Sequence, residues 1–302
     1  MKHLYLVLTM ALLAGCQPKT TSPDQLLRVP YQSTAMQVER DFFVYLPAGY
    51  EESEKDFPVL LFLHGNGERG DGKAELEYVK AHGPLYEVWA QKKELPFILI
   101  VPQLPMYGMD SLADYIRNRT PNQIPQRLES GVPPRPGKFP TPEIMSGDPQ
   151  DTTFNVGVEG LPVGWPMVED DLLWMIDHVL TNYKADAARL YLSGLSYGGF
   201  GSWYMASKHP ELFAAVAPVV GWGHPGLMEP IARNQIPVWA FAGGRDPVVR
   251  AKYFYAGINR LEELGLKELR FTVHEDMGHD ASTRIYAGDD LYNWFLEFEK
   301  ER

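Results

Sequence analysis

The segment Leu190-Tyr191-Leu192-Ser193-Gly194-Leu195-Ser196-Tyr197-Gly198-Gly199 constrains this chain more than any other. An apolar run breaks off into G-x-S-x-G, and a helix-compatible run follows it through Lys208. A serine on such a strand-to-helix turn sits in a strained backbone conformation. Its neighbours two residues to either side must lack side chains, and Gly194 and Gly198 meet that condition. The turn lifts the Ser196 hydroxyl above a sheet. The competing account is a Gly-rich turn with a structural role only, and the strand before it and helix after it favour the exposed hydroxyl.

The rest of the chain predicts the sheet that such a turn needs. Short apolar runs at Phe42–Leu46, Val59–Leu63, Phe97–Val101, Leu190–Ser193, Ala214–Val219, Val238–Ala242 and Leu269–His274 read as strands. Several are continuously apolar, as expected of a sheet covered on both faces. Between them, residues 167–183 carry apolar side chains at Val168, Leu172, Ile176, Val179 and Tyr183, a helical stripe. Residues 248–264 and 291–300 also read as helices. This alternation predicts an α/β class with a mostly parallel central sheet flanked by helices. Residues 104–164 break the rhythm with ten prolines and no clear period. They follow a strand, so they are expected to emerge near the carboxyl edge of the sheet as a lid-like insertion or substrate wall.

A serine hydroxyl is a weak nucleophile and needs a base and an orienting acid. With the serine first and the acid and base following in chain order, only His209, His224, His274 and His279 qualify as base. His279 lies in Met277-Gly278-His279-Asp280, a loop after the last strand, and alone is placed to reach over the carboxyl edge. Asp246 follows the strand Val238–Ala242 and two glycines, and is the expected acid. Capping a helix that begins at Pro247 is its alternative or additional role. Asp276 and Asp280 are too close to His279 in sequence to reach its far ring nitrogen easily.

The run Leu63-His64-Gly65-Asn66-Gly67-Glu68-Arg69-Gly70 fits three patterns. As G-x-G-x-x-G it is a dinucleotide fingerprint, but Glu68 and Arg69 are charged where that turn packs closely, and no acid follows for the ribose. As a P-loop ending in Lys73 it has Ala74 where magnesium needs a hydroxyl. The third pattern agrees with the serine. A His-Gly loop supplies one oxyanion N–H, from Asn66 or alternatively Gly65 or Gly67, and Tyr197 supplies the other. Gln103 and Trp222, each just after a strand, and Trp165, which closes the insertion, are candidates for contacting substrate. Trp203, on the helix after Ser196, is expected in the core.

LFLHGNGERG, VPQ, RLYLSGLSYGGFGSW, PVWAFAGGRDPVV and MGHD, in this order, are similar to motifs of α/β-hydrolases related to polyhydroxybutyrate depolymerases and feruloyl esterases. The resemblance covers residues 40–103 and 167–300 and implies Ser196 as nucleophile, Asp246 as acid and His279 as base, with oxyanion donors near Asn66 and Tyr197. The reaction it implies is hydrolysis of carboxylic esters through an acyl-enzyme, with no metal or organic cofactor. The substrates would be small-molecule or saccharide-linked esters. Residues 104–164 are longer than the group's usual connection, so the substrate does not carry over. A peptidase of the same fold and a non-catalytic binding domain are the rival readings.

Composition bounds the remaining questions. A formal charge of −11 with no basic block argues against nucleic acid as a partner. The one cysteine, Cys16, rules out an intrachain disulfide and a Cys-cluster metal site. It ends MKHLYLVLTMALLAGC, whose basic start and short apolar run read as an export signal. Leu13-Ala14-Gly15-Cys16 resembles a bacterial lipobox. The expected plan is a signal peptide over 1–15, a lipidated tether over 16–30 and one α/β-hydrolase domain over 31–302. Gln17, which is not aspartate, favours the outer membrane or periplasm over inner-membrane retention.

Overall fold

The computed structural model describes residues 21–135 and 164–300. Among these, eight strands form one sheet: β1 (Gln25–Gln32), β2 (Glu39–Leu46), β3 (Phe57–Leu63), β4 (Ile98–Val101), β5 (Ala185–Leu195), β6 (Ala215–Val219), β7 (Val238–Gly243) and β8 (Leu269–His274). Their order is β1-β2-β4-β3-β5-β6-β7-β8. The β1–β2 and β2–β4 pairs are antiparallel and all others parallel.

The strand sequences explain the two-sided burial. Along β3, Val59, Leu61 and Leu63 join one core, and Leu60 and Phe62 join the other. Successive side chains point to opposite faces, so a continuous apolar run suits a strand covered on both sides. One face is covered by α1 (Glu169–Asn182), α2 (Tyr197–Lys208), α3 (Met228–Arg233) and α4 (Phe254–Glu263). The other is covered by helical turns over 74–90, by α5 (Ala281–Ala287) and by α6 (Asp290–Phe295).

All seven expected strands are present, Leu269–His274 with the ends expected and the other six with shifted ends, and the eighth corrects the expected tether. Residues 25–30, assigned to it, belong to β1, which pairs with β2 from Gln25↔Leu46 to Gln32↔Glu39. Leu27, Val29 and Tyr31 alternate onto the core beside Leu26 and Arg28 on the other side, and Pro30 is tolerated because β1 is an edge strand. The signal peptide and Cys16 lie outside the described residues.

The described parts of the insertion, 104–135 and Gly164, reach two edges of the sheet. The first part, 104–119, contains short helical turns at Met109–Leu112 and Asp114–Arg117 near the carboxyl edge of the parallel strands. The insertion then leaves that edge. Arg127 forms a bidentate pair with Asp24, which precedes β1 at the end where Gln25 pairs with Leu46, the opposite edge of the sheet. Arg135 pairs with the buried Glu87. Residues 136–163 lie outside the described residues.

Candidate active site

The serine turn is held by backbone packing. Ser196 joins β5 to α2 at φ 55° and ψ −114°, a left-handed conformation that strains a residue with a Cβ. A Cβ on Gly198 would lie 1.8 Å from the Leu63 carbonyl oxygen, and one on Gly194 2.3 Å from the Gly198 carbonyl oxygen. On the other side Ser196 N–H donates to Val219 O at 2.9 Å. The turn is thus wedged between the ends of β3 and β6, which leave it no room to relax. Val220, just beyond β6, also has a positive φ of 45°. Two strained non-glycine residues therefore sit at adjacent strand ends.

Asp246 and His279 are brought in by the next two strands. A Cβ on Gly243 would fall 2.1 Å from the Gly278 carbonyl oxygen, so the turn after β7 and the loop after β8 meet backbone to backbone. Gly244 N–H donates to His274 O and Arg245 N–H to Met277 O, each at 2.9 Å. His279 Nδ1 lies 2.7 Å from Asp246 Oδ2, and His279 Nε2 lies 3.0 Å from Ser196 Oγ. A carboxylate only accepts, so Nδ1 carries the proton and the Nε2 lone pair faces the serine hydroxyl. Asp246 is buried, and its Oδ1 accepts from Val248 N–H at 2.8 Å and Val249 N–H at 2.9 Å. It holds a loop and the imidazole together. The α-helix it was expected to cap begins only at Phe254, after a 3-10 turn over Ala251–Tyr253.

The other histidines are engaged elsewhere. His209 faces Glu169 at 2.8 Å, His224 Nδ1 accepts from Gly226 N–H at 2.9 Å, and His274 stacks against Phe241.

The loop after β3 faces the turn. β3 and β5 pair with Leu63 opposite Gly194, so Asn66 and Tyr197 each stand three residues beyond a paired position. Asn66 opens the 3-10 turn Asn66–Glu68 and Tyr197 opens α2, so neither N–H has a partner within its own helix. His64 is buried. Its Nε2 accepts from Leu104 N–H at 2.9 Å, which makes Nδ1 the protonated nitrogen, donating to Gly65 O at 2.6 Å. With the Gly65 carbonyl pinned there, the trans peptide turns the Asn66 N–H the opposite way. Among the described residues no group of three or more His, Cys, Asp and Glu side chains is arranged to hold a metal ion.

Two of the three expected substrate contacts are corrected. Gln103 is buried, with Nε2 donating to Glu68 O at 2.8 Å and Glu75 O at 2.7 Å and Oε1 accepting from Gly72 N–H at 2.8 Å. Its amide is engaged in bracing the 68–75 backbone. Trp165 is also buried, packed edge-on against His64 at 5.0 Å and filling the space where Gly201 has no side chain. Trp222 is buried as well; it follows β6 and is grouped with Phe200 and Tyr253 at centroid distances of 4.9 and 6.1 Å. Trp203 is core, as expected.

Three residues near the site escaped the sequence reading. Tyr115 OH accepts from Asn66 Nδ2 at 2.6 Å. Arg119 donates to the carbonyls of Gly67 and Arg69 at 2.9 and 2.5 Å. Arg69 is fully buried beside Asn66 and Tyr197. The available signal was the pair Glu68-Arg69, charged side chains in a Gly-rich loop.

Burial drives the His64 imidazole down to about 4, against the opposing pull of Glu68. Its folded value lies below the unfolded one, so between pH 6.5 and pH 4 the unfolded chain takes up a proton that the folded protein refuses. This contribution is intact above pH 6.5, and up to about 3 kcal/mol is lost as pH falls towards 4. Urea unfolding of wild type and His64→Gln across this range is expected to show a shallower pH dependence in the variant. Equal slopes would contradict the assignment.

The site and fold have recognisable counterparts. Residues 167–225, which span α1, β5 and the serine turn, match the prolyl oligopeptidase family. The poly(3-hydroxyalkanoate) depolymerase C of Paucimonas lemoignei is 40% identical over 47 residues, covering 16% of this chain and 11% of that protein. The feruloyl esterase B of Neurospora crassa is 32% identical over 77 residues, covering 26% of this chain and 23% of that protein. The chain thus matches less than a quarter of the length of either relative. A thermostable esterase of known structure superposes with a TM-score of 0.59 at 24% identity, over 91% of this chain and 63% of that one. With its mostly parallel sheet, flanking helices and serine turn after β5, the chain has the α/β-hydrolase fold.

Proposed function

We propose that this protein is a serine hydrolase of carboxylic esters that works through an acyl-enzyme on Ser196. One observation carries the reading: Asp246, His279 and Ser196 form a continuous hydrogen-bonded chain, with contacts of 2.7 and 3.0 Å. His279 Nε2 takes the hydroxyl proton as Ser196 Oγ attacks the ester carbonyl carbon. Asp246 holds the Nδ1–H tautomer and stabilises the imidazolium. The N–H groups of Asn66 and Tyr197 receive the charge that develops on the carbonyl oxygen, and one such donor is worth ~10²–10³ in rate. His279 returns the proton to the departing alcohol. A water then attacks the acyl-enzyme by the same route and releases the acid.

The names of the two partial relatives, a depolymerase and a feruloyl esterase, support esters as the substrate class. The aromatic group of Trp222, Phe200 and Tyr253 supports a flat apolar or sugar-linked partner on that side of the site. The match to the prolyl oligopeptidase family favours a second reading, cleavage of an amide by the same groups. Comparing kcat/KM on feruloyl, acetyl-sugar and short acyl esters with that on aminoacyl anilides separates the two.

Wild-type protein is expected to turn over p-nitrophenyl acetate and to be labelled by a fluorophosphonate, and Ser196→Ala to do neither. Asp246→Asn is expected to fold and to lose ~10⁴ in kcat. Turnover by Ser196→Ala at the wild-type rate would refute the mechanism.

We further propose that residues 1–15 are an export signal and that Cys16 is acylated, tethering the enzyme to a membrane facing the periplasm. Each buried CH₂ contributes about 0.8 kcal/mol to such an anchor. Labelled palmitate is expected to enter the protein expressed in a Gram-negative host and to be absent from Cys16→Ser. Equal labelling of both would exclude this anchor.

A further inference from the structure

The charged pair in the loop after β3 has no part in the steps above, yet both residues are buried. Arg69 is fully enclosed, and a cation taken out of water is costly unless its environment returns the loss. Two of its contacts bear on the site. Nε donates to Asn66 Oδ1 at 2.6 Å, and the guanidinium carbon lies 4.9 Å from the centre of the Tyr197 ring. Nη1 donates to the Pro105 carbonyl at 3.0 Å, tying the assembly to the start of the insertion. Asn66 is gripped at its other end as well, where Nδ2 donates to Tyr115 OH at 2.6 Å.

We propose that Arg69 is a positioning residue: its guanidinium spans Asn66 and Tyr197 and sets the separation of their backbone N–H groups. This inference rests on the serine hydrolase reading, in which those groups bind the oxyanion. The physical need is specific. Donors that stabilise a developing charge are effective only when already aimed at it. Tyr197 is carried by a twelve-residue helix, but Asn66 sits on a three-residue 3-10 turn, whose own hydrogen bonds hold it weakly. A planar guanidinium can donate from its edge to Asn66 while its face rests on the Tyr197 ring. A lysine ammonium offers neither the fixed fork nor the plane.

The test compares wild type, Arg69→Lys, Arg69→Met, Asn66→Ala and Ser196→Ala in p-nitrophenyl acetate turnover and in the rate of fluorophosphonate labelling. Melting curves establish which variants are folded. Tyr191→Phe, which removes a part-buried hydrogen bond to Phe298 O, serves as the control for plain destabilisation. Arg69→Lys, Arg69→Met and Asn66→Ala are expected to lose about 10–100-fold in kcat with KM within about threefold of wild type, and to label more slowly in the same proportion. Tyr191→Phe is expected to melt earlier with kcat unchanged. If the Arg69 variants do not fold, Asn66→Ala read against Tyr115→Phe carries the same readout: both remove the bond to the Tyr115 hydroxyl, only the first also cuts the grip of Arg69, and the cation stays in place, so an equal kcat in the two would overturn the proposal. A kcat within about threefold of wild type in the folded variants, or a loss carried by KM, would overturn the proposal. Turnover by Ser196→Ala would instead overturn the underlying hydrolase reading, whatever the Arg69 variants do.

Discussion

The contact on which the rest depends is between two pieces of backbone: the Leu63 carbonyl at the end of β3 and Gly198 in the first turn of α2. The approach is so close that a Cβ on Gly198 would stand 1.8 Å from that oxygen. It is possible because β3 and β5 are parallel neighbours with Leu63 opposite Gly194. From it follow the forced left-handed turn at Ser196, the outward hydroxyl and the placement of the His64–Arg69 loop beside the same turn. A second approach of this kind, Gly243 against Gly278, does for Asp246 and His279 what the first does for Ser196. The geometry of the side chains is thus a consequence of where two pairs of backbone segments can touch.

Around this frame the protein accepts features that do not favour stability. Ser196 and Val220 are strained, His64 is buried and kept neutral, and Arg69 and Glu68 are buried charged groups. For Glu68 burial alone would raise the carboxyl, but the neighbouring His82 prevails and holds it below the usual range. Such features gather where a fold must hold a reactive geometry, and packing elsewhere compensates for them. The five named here lie in one loop and at two strand ends, and buried charges elsewhere, such as Glu87 and Asp171, are held by Arg135 and by Ser33 and Thr34.

Much of this was legible in the chain. The apolar runs marked seven strands because buried parallel strands leave little room for polar side chains. The serine turn and the order of Asp246 and His279 were readable because glycine spacing and chain order are local signals. β1 was missed because its alternation, Leu27, Val29 and Tyr31, is diluted by Gln25, Arg28 and Pro30 in a stretch that otherwise reads as linker. Gln103 and Trp165 were placed at the right end of the sheet but given the wrong direction. Residing after a strand does not reveal whether a side chain turns outward or folds back under a loop. The roles of Arg69, Tyr115 and Arg119 depend on contacts between loops distant in sequence, which no local pattern encodes.

In the proposed reaction a tetrahedral intermediate forms on Ser196 with its oxygen between two particular backbone amides. A crystal structure of the fluorophosphonate adduct measures this directly. The phosphorus should be bonded to Ser196 Oγ, with the phosphoryl oxygen within about 3.2 Å of both the Asn66 and Tyr197 nitrogens. An adduct on another residue, or a phosphoryl oxygen turned away from both amides, would contradict it.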